Sequence, residues 1–382
     1  MVTSPSPTPV NDENEVVLSA RQELELRDTV EKMLQPGKGI LAADDTNEGM
    51  GSKLKSCNLE NTPDNRRRYR QLLFTTPNIS KHISGVILYH ETYTQASEKG
   101  ERLVDLLRRQ NVTVGIQVDL GLVPLTGSPK EFTAQGMDNL AQRAAEYKKG
   151  GCNFAKWRVP YQISNSTPSH LALQENANLS ARYASICQKE GLVPIVEPDV
   201  SCEGEHSLER CQEVTEQVLA YTYKALADHG VFLEGTVLKT NMCIPGFSAK
   251  KQATPEQVAQ ATITCLSRTV PPAVPGVAFL SGGITELDAT KYLDAINKAA
   301  KAKWPAGNPW RLTFCYGRAL QATVIKTWQG CGDNVSAAQK AFLHRARANA
   351  EAEKGEYESE KAVTLALESM VLGNPNLRMR YY

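Results

Sequence analysis

A (β/α)8 barrel, an α/β fold followed by C-terminal helices and a flexible tail, is the fold class this sequence predicts. Three observations lead there. Eight short apolar runs recur along the chain. Stretches with 3.6-residue periodicity separate them. No GxGxxG or GxxxxGK[ST] motif follows the first run, so an open nucleotide-binding sheet loses its main support.

In chain order, residues 1–16 belong to a Pro/Ser-rich, acidic opening (MVTSPSPTPVNDENEVV, 1–17) that reads as a disordered tail. The barrel is expected over residues 17–353. Its first three runs are GILAADD (39–45), SGVILYHE (84–91) and VTVGIQVD (112–119). A helical pattern over 136–151 leads to NFAKWRV (153–159), and another over 171–191 leads to LVPIVEPDV (192–200). A third over 208–230 precedes FLEGTVLKTN (232–241). The helix predicted over 254–269 opens with Thr254, then Pro255 at the first helical position and an acidic residue after it. GVAFLSGG (276–283) and RLTFCYGR (311–318) complete the eight. Most runs are rich in Val, Ile and Leu with little strict alternation, as strands covered on both faces are. Helices over 319–329 and 335–353 follow, and residues 354–382, ending NLRMRYY, read as a mobile tail.

Bulk composition narrows the function classes. The chain has 382 residues, 41% hydrophobic and 22% charged, with a formal net charge of +1. That balance supplies no general attraction to nucleic acid or to an anionic membrane. No apolar run reaches the ~18 residues a spanning helix needs. The opening lacks a signal peptide's apolar core and a transit peptide's arginines, so the expected location is the cytoplasm. Nine cysteines, an odd number without CxxC spacing, predict reduced thiols. Six histidines form no HxH or HxxH pair, so no metal or other cofactor is expected.

Barrel active sites lie at the C-terminal ends of the strands. The polar residues there are Asp44 and Asp45, His90 and Glu91, Gln117 and Asp119, Lys156 and Arg158, Glu197 and Asp199, and Lys239 and Asn241. Ser281-Gly282-Gly283 and Tyr316-Gly317-Arg318 end the last two runs. Period-two parity puts Lys156 and Arg158 on one face, and Glu197 and Asp199 on one face. Charges inside a barrel mouth must be paired or functional, because an unpaired buried charge is costly. The plain alternative is a structural ion-pair network.

Two lysines and two acids suit one kind of chemistry. A desolvated lysine beside a second ammonium is expected to have a depressed pKa and to attack a ketone, giving an iminium. Lys239 fits, with Lys156 beside it. Glu197 is placed to serve carbinolamine dehydration, and Asp44 to take a hydroxyl proton. SGG and YGR on neighbouring strand ends, with Arg318, match the phosphate site expected after the last two strands.

GKGILAAD (37–44), FAKWR (154–158), VPIVEP (193–198), LEGTVLK (233–239), RTVPPAVPGVAFLSGG (268–283) and YGRALQA (316–322) together closely resemble class I, Schiff-base fructose-bisphosphate aldolases. The similarity runs from about residue 17 to 353 and includes a C-terminal tyrosine. The resemblance implies a metal-free barrel, a homotetramer and a phosphorylated sugar substrate. It makes Lys239 the imine-forming lysine, Lys156 its companion, Glu197 the general acid/base and Asp44 the residue acting on the C4 hydroxyl. Arg158 and Asp199 match neighbouring site positions, although the family usually has Glu at the latter. Leu280, Ser281, Gly282, Gly317 and Arg318 match the C1-phosphate site, and Tyr382 matches the mobile terminal tyrosine.

Several positions depart from the pattern. The family's Glu-Ser-Thr-Gly-Ser after Asp44 is here Asp45-Thr46-Asn47-Glu48-Gly49. GIKVDKG is GIQVDLG, so Gln117 and Leu120 replace lysines; a basic pair is Ser52-Lys53. Cys315 replaces a serine and Thr240 a proline. Thr46, Lys53 and Gln117 are the remaining substrate contacts expected on the C6-phosphate side. Fructose 1,6-bisphosphate is the expected substrate. The alternative is the same chemistry with dihydroxyacetone phosphate and a different, possibly unphosphorylated, aldehyde. A non-catalytic scaffold and a zinc-dependent aldolase are the readings from other classes. NRRRYRQ (65–71) reads as a solvated helix face, His90-Glu91 as structural, and KAAKAKW (298–304) as the frayed end of a helix.

Overall fold

The computed structural model describes residues 18–358. Strands β1 (Gly39–Ala43), β2 (Ile83–Leu88) and β3 (Thr113–Gln117) are followed by a small hairpin, β4 (Leu122–Pro124) and β5 (Phe132–Ala134). Then come β6 (Phe154–Tyr161), β7 (Val193–Val200), β8 (Val237–Thr240), β9 (Gly276–Phe279) and β10 (Arg311–Tyr316). Eight of them close into one barrel in the order β1-β10-β9-β8-β7-β6-β3-β2, every pair parallel. Each expected run holds one barrel strand, so the predicted fold class is the observed one.

The boundaries shift where chemistry begins. Only Val237–Thr240 of the run 232–241 is strand, since Leu233–Gly235 forms a 3-10 turn. Ser281-Gly282-Gly283 lies beyond β9 in the following turn. His90 and Glu91 open a short helix, His90–Thr94. The β4–β5 hairpin was not expected, although Gly127-Ser128-Pro129 between two apolar stretches is a turn signal.

The helices start where their caps predict. Thr254 accepts from Gln257 N, and the Gln257 side chain reciprocates, a capping box before the helix Pro255–Thr269. Ser169 and Ser207 cap His170–Lys189 and Leu208–Asp228 in the same way, without the reciprocal bond. Val335–Glu353 is the last helix. Residues 354–358, which the sequence places in the tail, still dock: Tyr357 is buried and its N–H donates to Asp294 Oδ1 at 3.0 Å. The remaining tail residues and Tyr382 lie outside the described residues.

Inside the barrel, Ile40, Ile87, Phe154, Val193, Ile195, Val237, Ala278 and Cys315 form an apolar cluster. Gly115 pairs with Phe154, and a Cβ there would lie 2.1 Å from the phenyl ring. The missing side chain is what lets the ring fill the barrel.

One expectation fails outright. The arginine run 65–71 sits on the helix Pro63–Phe74, but Arg66 and Arg70 are buried, not solvated. The expectation rested on charge alone, and a buried guanidinium is tolerated where carbonyls and carboxylates receive it. Arg66 forks onto Glu91 at 2.7 and 2.6 Å. Arg70 donates to the carbonyls of Ala43 and Asp45. Of the basic run 298–304, Lys298 pairs with Asp294 and Lys303 stacks on Trp304, so the end of Glu286–Lys303 is tied down.

Candidate active site

Four charged side chains meet where β1, β6, β7 and β8 open at the C-terminal end of the barrel. Register explains why. Lys156 lies level with Ile195, two residues before Glu197, and Ile195 is level with Val237, two residues before Lys239. The period of two then turns Lys156, Glu197 and Lys239 to the same interior. Asp44 follows directly after β1.

The four form a chain of ion pairs. Lys239 Nζ lies 2.8 Å from Glu197 Oε1. Lys156 Nζ lies 3.4 Å from Glu197 Oε2 and 2.8 Å from Asp44 Oδ2. Lys156, Glu197 and Lys239 are each 4–5% exposed. Two ammonium groups facing two carboxylates leave the cluster neutral, which is what makes its burial tolerable.

Burial drives the Asp44 carboxyl up, but Lys156 and Lys239 outweigh it and hold it below its usual range. Glu197 is likewise pushed up by burial and brought lower than usual by Lys239, Lys156 and Arg158. Burial lowers Lys156, and Asp44, Glu197 and Asp119 raise it well above the usual amine range. At Lys239, burial and Lys156 lower the amine as expected, yet Cys315 and Glu197 lift it above its ordinary value. The Cys315 thiol is itself pushed up to about 12 by burial, so it is uncharged at neutral pH and Glu197 is the effective counter-ion. The expectation of a depressed Lys239 is therefore corrected. A carboxylate within 3 Å of each lysine favours the ammonium form of both.

Beside this cluster lies a cavity of about 560 Å3 lined by Arg158, Asp199, Phe247, Gly282, Gly283 and Arg318, among others. Arg158 Nε bonds Asp199 Oδ2 at 2.7 Å. Gly317 stands at the N-cap of the helix Arg318–Trp328, whose positive dipole end favours an anion. Ser281 Oγ accepts from Ala319 N at 3.3 Å, tying the SGG turn to that helix. Leu280 N donates to Thr240 O at 3.0 Å, fixing the turn against the strand that carries Lys239. Leu122 and Phe132 of the hairpin also line the cavity. A larger cavity, about 1220 Å3, lies at the opposite end of the barrel beside Arg27, Trp310 and Glu353. It contains none of the strand-end residues.

The other expected contacts are occupied locally. Thr46 Oγ1 accepts from Gly49 N at 3.1 Å, capping the helix Asn47–Lys55. Lys53 Nζ lies 2.6 Å from Asp45 Oδ2. Gln117 Nε2 donates to Asp119 Oδ1 at 2.8 Å. His90 bonds Tyr147 and Glu91 holds Arg66, in keeping with a structural role for the pair. All nine cysteines are free thiols.

A closed (β/α)8 barrel whose mouth holds two buried lysines, two buried carboxylates and an anion-favouring helix terminus is a barrel enzyme built for amine and carboxylate chemistry. The family model "Fructose-bisphosphate aldolase class-I" matches residues 25–375, and the chain belongs to that family of lyases. Fructose-bisphosphate aldolase 2 of Caenorhabditis elegans is 57% identical over 353 residues, 92% of this chain and 95% of that one. Fructose-bisphosphate aldolase B of Bos taurus is 52% identical over 341 residues, covering 89% and 92%. A solved fructose-bisphosphate aldolase from Plasmodium falciparum, in complex with TRAP and an inhibitor, superposes with a TM-score of 0.87. It shares 46% identity over 90% of this chain and 97% of that chain.

Proposed function

We propose that this protein reversibly cleaves fructose 1,6-bisphosphate to dihydroxyacetone phosphate and glyceraldehyde 3-phosphate through an imine on Lys239. The observation that carries the reading is the buried Lys239–Glu197 contact of 2.8 Å. Membership of the aldolase family supports the substrate.

The contact supplies what a protonated lysine lacks. Glu197 takes a proton from Lys239 along the 2.8 Å path, and the free amine adds to the C2 carbonyl. The same proton returns from Glu197 to the carbinolamine hydroxyl, which leaves as water. The ammonium thus becomes an iminium plus one water with no net proton exchanged. Lys156 remains charged and orients Asp44 and Glu197. Asp44 takes the C4 hydroxyl proton, the C3–C4 bond breaks, and its electron pair moves into the iminium to give an enamine. The aldehyde departs. The enamine is then protonated at C3, the step the family resemblance gives to Tyr382, and the imine is hydrolysed.

Gly282, Gly317, Arg318 and the helix terminus receive the C1 phosphate, with Leu280 and Ser281 holding the turn. Arg158 and Asp199 border the sugar. Thr46, Lys53 and Gln117 bound the acceptor end. No feature of the cleft favours the alternative aldehyde over the bisphosphate. Family resemblance further supports a cytoplasmic homotetramer in glycolysis and gluconeogenesis, for which light scattering on the purified protein is the direct check of assembly.

Borohydride added with dihydroxyacetone phosphate tests the chemistry. The expected result is one covalent adduct on Lys239 by mass spectrometry. A folded protein without the adduct refutes the imine and favours a scaffold role; activity lost in a strong chelator points to metal chemistry instead.

A further inference from the structure

The arginine run that sequence alone assigns to solvent ends directly behind Asp44. We propose that Arg70 is a positioning residue for Asp44, acting through the backbone on either side of it. The inference rests on the role proposed above for Asp44.

Asp44 lies one residue past the last ladder pair of β1, Ala43 with Leu88. Residues 44–46 have no regular structure before Thr46 caps the next helix. The sheet therefore does not fix the peptide that carries the carboxylate. Arg70 does so with two donors. Its Nε donates to Ala43 O at 3.2 Å and its Nη2 to Asp45 O at 2.6 Å. The guanidinium plane thus spans Asp44 from the residue before it to the residue after it. Gln321 Nε2 takes the preceding carbonyl, Ala42 O, at 2.8 Å.

The location of this cation is otherwise unfavourable. Arg70 is 1% exposed, and its Nη1 has no hydrogen-bond partner. Its nearest carboxylate, Glu91, is 3.9 Å from Nη1 and is already forked onto Arg66. A buried cation whose ion pair is long and shared with a second guanidinium regains only part of its lost hydration. Its two carbonyl bonds are what it does in return, and they converge on Asp44. A methionine or leucine would fill the same space at less electrostatic cost. Arg66 completes the brace from behind, holding Asn61, whose Nδ2 donates to Asn47 O at the start of the following helix.

Because Asp44 serves carbon–carbon cleavage and Lys239 with Glu197 serves imine formation, loss of Arg70 separates the two steps. Misplacement of a reacting group by ~1 Å costs about 10²-fold in rate. Arg70→Met is expected to lower turnover of fructose 1,6-bisphosphate by about that factor. Its borohydride-trapped adduct between dihydroxyacetone phosphate and Lys239 stays at the wild-type level. Arg70→Lys keeps one donor and falls between the two. In an Asp44→Ala background, Arg70→Lys adds no further loss of cleavage, since the group it positions is gone.

Parallel loss of trapping and cleavage in a folded Arg70 variant overturns the inference, because it marks general damage. So does unchanged cleavage, or an undiminished effect of Arg70→Lys without Asp44. If Arg70→Met does not fold, Arg70→Lys with its double variant decides by the same readouts. Absence of the adduct in the wild-type protein refutes the imine reading itself, a result distinct from every one of these.

Discussion

Strands β6, β7 and β8 present two different interiors on the same inward face. At their N-terminal ends Phe154, Val193, Ile195 and Val237 are fully buried among Ile40, Ile87 and Cys315. One step of two residues further, Lys156, Glu197 and Lys239 face the same space. The lower layer is stable because burying apolar surface is favourable, roughly 25 cal/mol per Å2. The upper layer is stable only through its partners, since each charge has left water and regains its loss from a neighbour within 2.8–3.4 Å. The two layers should therefore fail differently: the lower by unfolding, the upper by losing chemistry.

The largest effect expected from the comparison is at Lys239. Lys239→Met should reduce cleavage by about six orders of magnitude, the scale seen when a catalytic nucleophile is removed. Steady-state assay with mass spectrometry after borohydride is the check, and a surviving adduct would contradict the assignment. Phe154→Ala comes next and should act in the opposite register. It opens a cavity worth about 3–5 kcal/mol of stability, read by denaturant melts. Turnover per folded molecule should change little; a large loss of kcat at low temperature would show that the layers are not separable.

Acid sharpens the contrast. Asp44 and Glu197 have folded pKa values below their ordinary 3.8 and 4.5. Their contribution is complete above those ordinary values and is lost as pH falls through the lower, folded ones. Asp44→Asn should flatten the acid limb of the stability curve by up to about 1.4 kcal/mol per pH unit, one proton's worth. Parallel curves for wild type and variant below pH 4 would contradict the pairing with Lys156. The smallest effect is on the acceptor side. Gln117→Lys should raise the preference for fructose 1,6-bisphosphate over fructose 1-phosphate by about 1.5–3 kcal/mol, one charge-assisted contact, measured as a ratio of kcat/KM. An unchanged ratio would place the second phosphate away from β3.

Much of this was legible beforehand, for reasons that differ by residue. The eight runs declare themselves because both faces of a barrel strand are apolar. Lys156, Glu197 and Lys239 stand out because each interrupts such a run near its end. The burial of Arg66 and Arg70 is not legible, because charge density along a helix does not reveal which side faces the barrel. The β4–β5 hairpin is not legible either, because its strands are three residues long, too short for periodicity to register.

The sequence alone therefore determined the barrel, the cluster of charged strand-end side chains and the family, since local pattern and strand-end position carry that information. Only the tertiary structure decided which way its surroundings push the Lys239 amine. That depends on a 2.8 Å contact with a carboxylate 42 residues earlier, and no local pattern encodes such a distance. The burial of Arg70 behind Asp44 was settled in the same way. A guanidinium's partners there are backbone carbonyls, which every residue possesses and no sequence marks.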